Sequence, residues 1–325
     1  IGFGGSIFDE ASLAAKIAKS YGVKFKSLDC SPKSLAEEYI ATIYHVEMAL
    51  ANPSAIGKLR LSRFVRENGV KVCITGEGSD EVFGGYAYFK LERLWRMLES
   101  PDPAKRSHAK GLLRRFEKLE HRSQSILWDG DMPWRTGPRP FGYPSYHQIR
   151  ARYAQSYHSR LYRHKSLGMT ADHSPAAIFA EACDAEMMQR IDPFNAARVI
   201  SFGQLSGYII PTLGDRVEMA NSIECRTPFL DRDLIEFTLK IPPEYFLDID
   251  RLREKDLLRR AFDGLVPDFT RREHKHPFLS QNWLSIYRTD AGRQLFDDLL
   301  SSRAIKNSGI FDPGFLKLIM TGWKY

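Results

Sequence analysis

Apolar residues recur at two different periods along residues 1–90, and the switching between them predicts the order of elements. Leu13, Ala14, Ile17 and Ala18 form a helical stripe between Asp9 and Tyr21 that ends before Gly22. Val23 to Leu28 predicts a short strand, Ser31 to Leu50 a helix with Leu35, Tyr39, Ile43 and Val46 on one face, and Pro53 to Asn68 a further helix. The run Val70-Lys71-Val72-Cys73-Ile74, bounded by Asn68-Gly69 and Gly76, suits a buried parallel strand. Ile1-Gly2-Phe3 reads as the tail of another strand. Strands alternating with helices predict an α/β fold with a doubly wound parallel sheet over residues 1–90. Beyond Tyr86 the period is helical, becomes irregular from Met132-Pro133 to Tyr143-Pro144, and is helical again from Ser174, so residues 91–325 are expected to form a mainly helical layer.

Composition narrows the class. A chain of 325 residues with 43% hydrophobic residues can bury the core of one large or two ordinary domains. Cys30, Cys73, Cys183 and Cys225 stand far apart without a Cys-x-x-Cys pair, which predicts neither a zinc site nor a disulfide framework and favours the cytoplasm. No apolar run reaches the length of a membrane span and no signal peptide is visible. The net charge of +7 is concentrated between Pro101 and Lys165, where fourteen Lys or Arg face five Asp or Glu. Aromatics interleave there (Trp128, Trp134, Phe141, Tyr143, Tyr146, Tyr153, Tyr157, Tyr162), as a single-strand binder would want. No nucleic-acid module accompanies them, and a solvated basic face over an aromatic core is the preferred reading. Six histidines in the same part of the chain (His108, His121, His147, His158, His164, His173) lack ligand spacing, so no metal site is expected of them.

The candidate chemistry sits after the strand at Ile74, in Thr75-Gly-Glu-Gly-Ser-Asp-Glu-Val-Phe-Gly-Gly-Tyr86. A loop at the carboxyl end of a parallel strand is where open α/β sheets bind ligands. Gly76 and Gly78 let backbone amides approach a phosphate or carboxylate, and Ser79, Asp80 and Glu81 are placed to cap the next helix. Glu77 and Asp80 then need a balancing cation or proton, which makes Asp80 a candidate Mg²⁺ ligand and Glu77 a candidate proton acceptor. A strand-to-helix turn with two capping acids accounts for the same residues without chemistry.

The twelve-residue string resembles the signature loop of the synthetase domain of glutamine-dependent asparagine synthetases and of their relatives, the β-lactam synthetases. Further landmarks agree. Asn52-Pro53-Ser54-Ala55 resembles a family turn that carries Asp first, and is expected to start a helix. Gly214-Asp215-Arg216 through Asp231 is similar to Asp-Arg-Met-Ser-Met-Ala-His-Ser-x-Glu-x-Arg-x-Pro-Phe-Leu-Asp, with Val217, Glu218 and Asn221 as departures. Lys255, Leu258 and Arg259 match a Lys-x-x-Leu-Arg pattern on a helix predicted over Glu254 to Gly264. Lys275, three residues before Phe278, fits the lysine that reaches the nucleotide phosphates. Asp215, Arg216, Glu224 and Arg226 are expected to brace the cleft as a buried ion-pair or hydrogen-bond network, and Phe229, Leu230, Leu234 and Phe237 to be core.

The resemblance implies an adenine nucleotide α-hydrolase fold and an ATP- and Mg²⁺-dependent, AMP-forming amide ligase. A carboxylate, by default aspartate, would be activated as an acyl-adenylate and attacked by ammonia from glutamine. Ile1 would pack on adenine; Thr75 and Gly76, with Gly78 and Ser79, would contact the nucleotide; Asp80 would hold Mg²⁺; Glu77 and Lys275 would be catalytic. Glu77 favours amidation over ring closure, because β-lactam synthetases carry tyrosine there. A tailoring amidotransferase acting on a larger carboxylic acid, a β-lactam-type cyclase and, in another class, a non-catalytic binding or scaffold domain are the alternatives. A homodimer is left open; no nucleic acid and no membrane are expected as partners.

Two family parts are not read in the chain. One is the amino-terminal glutaminase domain. The other is the pyrophosphate loop Ser-Gly-Gly-x-Asp-Ser, which Phe3-Gly4-Gly5-Ser6 mimics without its aspartate, so that an ordinary turn is expected. Residues 1–90 would then be a partial nucleotide-binding core, and the chain by itself poorly stable and inactive.

Overall fold

The computed structural model describes residues 1–3, 9–123, 139, 141–162, 175–272 and 280–323. The described chain is mostly helical and carries a two-stranded parallel sheet, β1 (Val72–Ile74) and β2 (Glu224–Arg226), in the register Val72↔Glu224, Cys73↔Cys225, Ile74↔Arg226. The run that ends at Ile74 is therefore a strand, shorter than its apolar pattern. Its central side chain, Cys73, is half-buried, whereas Val72 and Ile74 are 47% and 77% exposed. That corrects the expectation of burial on both faces: among the described residues nothing covers the face that Val72 and Ile74 share.

The strand expected over Val23 to Leu28 is reduced to a parallel bridge between Gly2 and Asp29, where Gly2 N–H donates to the Leu28 carbonyl (2.7 Å) and Cys30 N–H to Gly2 (2.9 Å). A ladder needs a partner along its length, and the described partner meets this segment only at its end; Val23 and Phe25 stay exposed.

The helices follow their stripes more closely. Ala11–Ser20 starts where Asp9 accepts from Ala11 N–H, and Ser54–Glu67 starts where Asn52 Oδ1 accepts from Ser54 N–H (2.9 Å), the structural role expected of that turn. The helix expected over Ser31 to Leu50 is two, Pro32–Glu37 and Tyr39–Val46, broken at Glu38, whose carboxylate receives both guanidinium nitrogens of Arg63.

The main core lies in the helical layer, on the helix Ala87–Leu98 (Leu91, Leu94, Trp95) packed against Leu112 and Phe116 of Pro103–Ser123. Tyr146 joins it and Phe141 enters a satellite cluster, so these aromatics of the basic segment face inward as the solvated-face reading requires. Trp128, Trp134 and the Gly4-Gly5-Ser6 turn lie outside the described residues. Ile1 and Phe3 pack with Cys30, Leu35, Ile56 and Ile286 in a second cluster. Phe229 and Leu234 line the main core; Phe237 is 62% exposed, against expectation, because it lies on the outer face of Arg232–Leu239.

Candidate functional site

The loop leaves β1 at Thr75, whose amide donates to Arg226 across the sheet (2.8 Å), so that amide is committed to the ladder and its carbonyl and hydroxyl remain. Thr75 Oγ1 is buried and has no hydrogen-bond partner in the described protein. Gly76 is exposed, with space around its Cα. Gly78 takes a left-handed conformation (φ +87°), and a Cβ there would lie 2.1 Å from Leu230 Cδ2. Glycine is thus demanded twice, by conformation and by the close approach of the 228–230 turn.

The helix Ser79–Phe83 follows, its Val82 and Phe83 buried in the main core with Phe83 edge-on to Phe229 at 5.9 Å. Burying two such side chains stabilises the loop's exit by roughly 2 kcal/mol each. The position that would cap this helix is Gly78, which has no side chain to accept from the first turn. Ser79, Asp80 and Glu81 are engaged elsewhere. Ser79 Oγ accepts from Lys255 Nζ (2.9 Å), Asp80 Oδ1 pairs with the same ammonium (2.7 Å), and Glu81 Oε1 accepts from Tyr86 Oη (2.6 Å). Burial pushes the Glu81 carboxyl up, partly offset by the Tyr86 hydrogen bond. Gly85 makes room for the Asp80–Lys255 pair, since a Cβ there would lie 1.8 Å from Asp80 Oδ1 and 2.4 Å from Lys255 Cε.

Glu77 has its own ammonium. Lys58 of Ser54–Glu67 places Nζ 3.1 Å from Glu77 Oε1, with the two side chains 15% and 26% exposed. Glu77 and Asp80, three positions apart, are therefore met by different lysines, one within a helix and one just before another. Lys58 carries no signal in the sequence, being a lone lysine on an amphipathic helix, and Lys255 is legible there only as part of a helix pattern. The helix there is Asp256–Ala261, shorter than expected, with Lys255 just before it.

The four residues expected to brace the cleft do not form one buried network. Glu224 and Arg226 pair at 2.8 Å, but at 59% and 67% exposure, because alternate residues of β2 share its outward face. Arg216 donates to the Val46 carbonyl and Asp215 is exposed. Lys275 lies outside the described residues.

Among the described residues no group of three or more His, Cys, Asp or Glu is gathered as a metal cluster. Mg²⁺ in nucleotide sites keeps waters and phosphate oxygens and takes only one or two carboxylates, so such a site would ask no more of the protein than one group of the chemistry of Asp80. A cavity of about 220 Å³ between Phe89, Arg96, Phe194 and Leu247 is lined by none of the loop's residues.

Comparison with known proteins bears on this arrangement. A family profile described as Asparagine synthase matches residues 1–324. The chain is 27% identical over 289 residues to Amidase chyE of Penicillium rubens, covering 80% of this chain and 39% of that protein. It is 28% identical over 292 residues to Asparagine synthetase [glutamine-hydrolyzing] 1 of Bacillus subtilis, with 87% and 42% covered. A Putative asparagine synthetase [glutamine-hydrolyzing] of Mycobacterium tuberculosis is 26% identical over 294 residues, with 87% and 41% covered. The chain thus spans about two fifths of the length of the relatives it matches. With the signature loop at the end of a parallel strand and the profile running the length of the sequence, the chain belongs to the asparagine synthase family, whose domain has an α/β, adenine nucleotide hydrolase-like fold.

Proposed function

We propose that the chain is the synthetase domain of an ATP-dependent, AMP-forming amide ligase. The observation that carries this reading is the pairing of Glu77 with Lys58 and of Asp80 with Lys255 in one glycine-built mouth at the carboxyl end of β1. A scaffold or binding domain needs neither carboxylate held this way.

The substrate carboxylate attacks the α-phosphorus of ATP, pyrophosphate leaves, and an acyl-adenylate results. Ammonia, supplied from glutamine by a partner domain, then attacks the acyl carbon and AMP departs. Lys255 orients Asp80 and Ser79 at the phosphate end of the mouth, and Thr75 Oγ1 and Gly76 are the polar and open backbone positions that a nucleotide would meet. Mg²⁺ held by Asp80 and the phosphates would supply neutralisation of the charge on pyrophosphate. Lys275 would add a further cation, and Glu77 takes the proton released by the attacking amine. Ile1 would pack on adenine.

Aspartate is the default acid. A second reading, amidation of a larger carboxylic acid by a tailoring enzyme, draws support from the similarity to a protein named Amidase chyE and from Glu218, where the family motif has serine. Isotope exchange between pyrophosphate and ATP, measured over a panel of carboxylic acids, tests the activation step and names the acid. Exchange that depends on one acid is the expected result; no exchange with any acid would favour the scaffold reading.

A further inference from the structure

The three departures from the family motif, Val217, Glu218 and Asn221, meet on one surface, the face of Ser54–Glu67 that carries Lys58. Val217 is fully buried against Ala55 and Leu59. Asn221 Nδ2 donates to Ser62 Oγ (2.8 Å) and to the Leu59 carbonyl (3.3 Å), while Ser62 Oγ donates to the Val217 carbonyl (2.7 Å). These contacts lock Arg216–Met219 to the helix one turn beyond Lys58. Glu218 is 8% exposed; burial pushes its carboxyl up, and a hydrogen bond from the Cys225 thiol together with the Lys58 charge draws it back. Glu77 acts on Glu218 as a like charge. Lys58 therefore contacts Glu77 directly, on a stem whose helix is held from behind, while the buried Glu218 feels its charge without touching it.

We propose that Lys58, steadied by Glu218, is a positioning residue for Glu77 in the amide-forming half of the reaction. This rests on the functional reading given above. The Lys58 ammonium donates to Glu77 Oε1 and fixes the carboxylate's rotation, so that Oε2 faces the incoming amine. As the nitrogen–carbon bond forms, the bond from the acyl carbon to the AMP oxygen breaks and AMP leaves with the electron pair; the proton lost by nitrogen passes to Glu77. Activation of the acid by ATP involves no such transfer and does not need Lys58.

The two half-reactions separate the claim from a structural role. Lys58→Met, Lys58→Arg and Glu218→Gln are made in the protein that carries this chain and supplied with ATP, ammonium chloride and the acid that supports exchange. The readout is amide formed per pyrophosphate released. Lys58→Met is expected to keep pyrophosphate release, the adenylate then being hydrolysed by water to the acid and AMP, while amide per pyrophosphate falls about tenfold or more, Lys58→Arg to restore the ratio to within about threefold, and Glu218→Gln to lower it by less than Lys58→Met. An unchanged ratio in Lys58→Met, or a loss that arginine does not restore, overturns the positioning role while leaving the ligase reading intact. Absence of pyrophosphate release from the parent protein overturns both.

Discussion

At the scale of single residues, Glu77 and Gly85 separate chemistry from construction. Glu77→Gln keeps the shape of the loop and removes the proton acceptor, so amide formation is expected to fall by about two orders of magnitude with pyrophosphate exchange largely kept. Equal loss of both would deny Glu77 its role. Gly85→Ala, by contrast, pushes a methyl group into the Asp80–Lys255 pair and is expected to cost about 2 kcal/mol, read as a lowered urea midpoint. A midpoint unchanged from the parent would show that the pair yields without strain. Glycine, glutamate and aspartate at these positions were legible in the sequence because a loop signature fixes residue types at fixed spacing. Lys58 was not, because its meeting with Glu77 joins residues nineteen positions apart through the fold.

At the scale of elements, the strand, the loop and the helix after it act as one lever. β1 fixes Thr75, Val82 and Phe83 fix the far end, and Lys255 reaches in from the start of Asp256–Ala261. Lys255→Met leaves Asp80 without its ammonium at only 20% exposure, and is expected to cost about 2 kcal/mol, between the values of exposed and fully buried pairs. It should also raise the ATP concentration needed for half-maximal exchange; a variant with parental stability and ATP dependence would refute the lever. Helices show in their stripes, since periodicity and local caps decide them, although the one read over Ser31 to Leu50 breaks at Glu38 and the one read over Glu254 to Gly264 is shorter. The strand over Val23 to Leu28 was not, because strands exist by pairing and its described neighbour meets it only at Gly2. The exposed Glu224–Arg226 pair teaches the same lesson: spacing of two in a strand puts charges on a common face, and only the packing decides whether that face is covered.

At the scale of the whole molecule, two buried carboxylates in the helical layer give stability opposite dependences on pH. Burial pushes Glu92 up to about 8 from an ordinary 4.5, against hydrogen bonds from Tyr146 N–H and Ser145. Between those values the unfolded chain has released the proton and the folded one holds it, so stability falls as pH rises, by up to about 1.4 kcal/mol per pH unit from this group. Burial also acts upward on Glu254, but the Lys90 ammonium at 2.8 Å and Arg259 at 3.1 Å outweigh it and hold the carboxyl down to about 2. Its contribution is present above 4.5 and is lost as pH falls toward 2. Glu92→Gln is therefore expected to be more stable than the parent at pH 8, with the margin shrinking to nothing near pH 4.5. Urea midpoints across that range measure it, and a margin independent of pH would contradict the assignment. None of this was legible beforehand, since burial of a single glutamate leaves no mark in the sequence.

The proposed reaction activates a carboxylate as its adenylate before amide formation. Transfer of oxygen-18 from the labelled carboxylate of the accepted acid is the most direct measurement, with products separated and weighed by mass spectrometry. Label recovered in the phosphoryl group of AMP, in proportion to amide formed, is the predicted result. Label in inorganic phosphate alongside ADP, or amide formed with no label transferred, would contradict it.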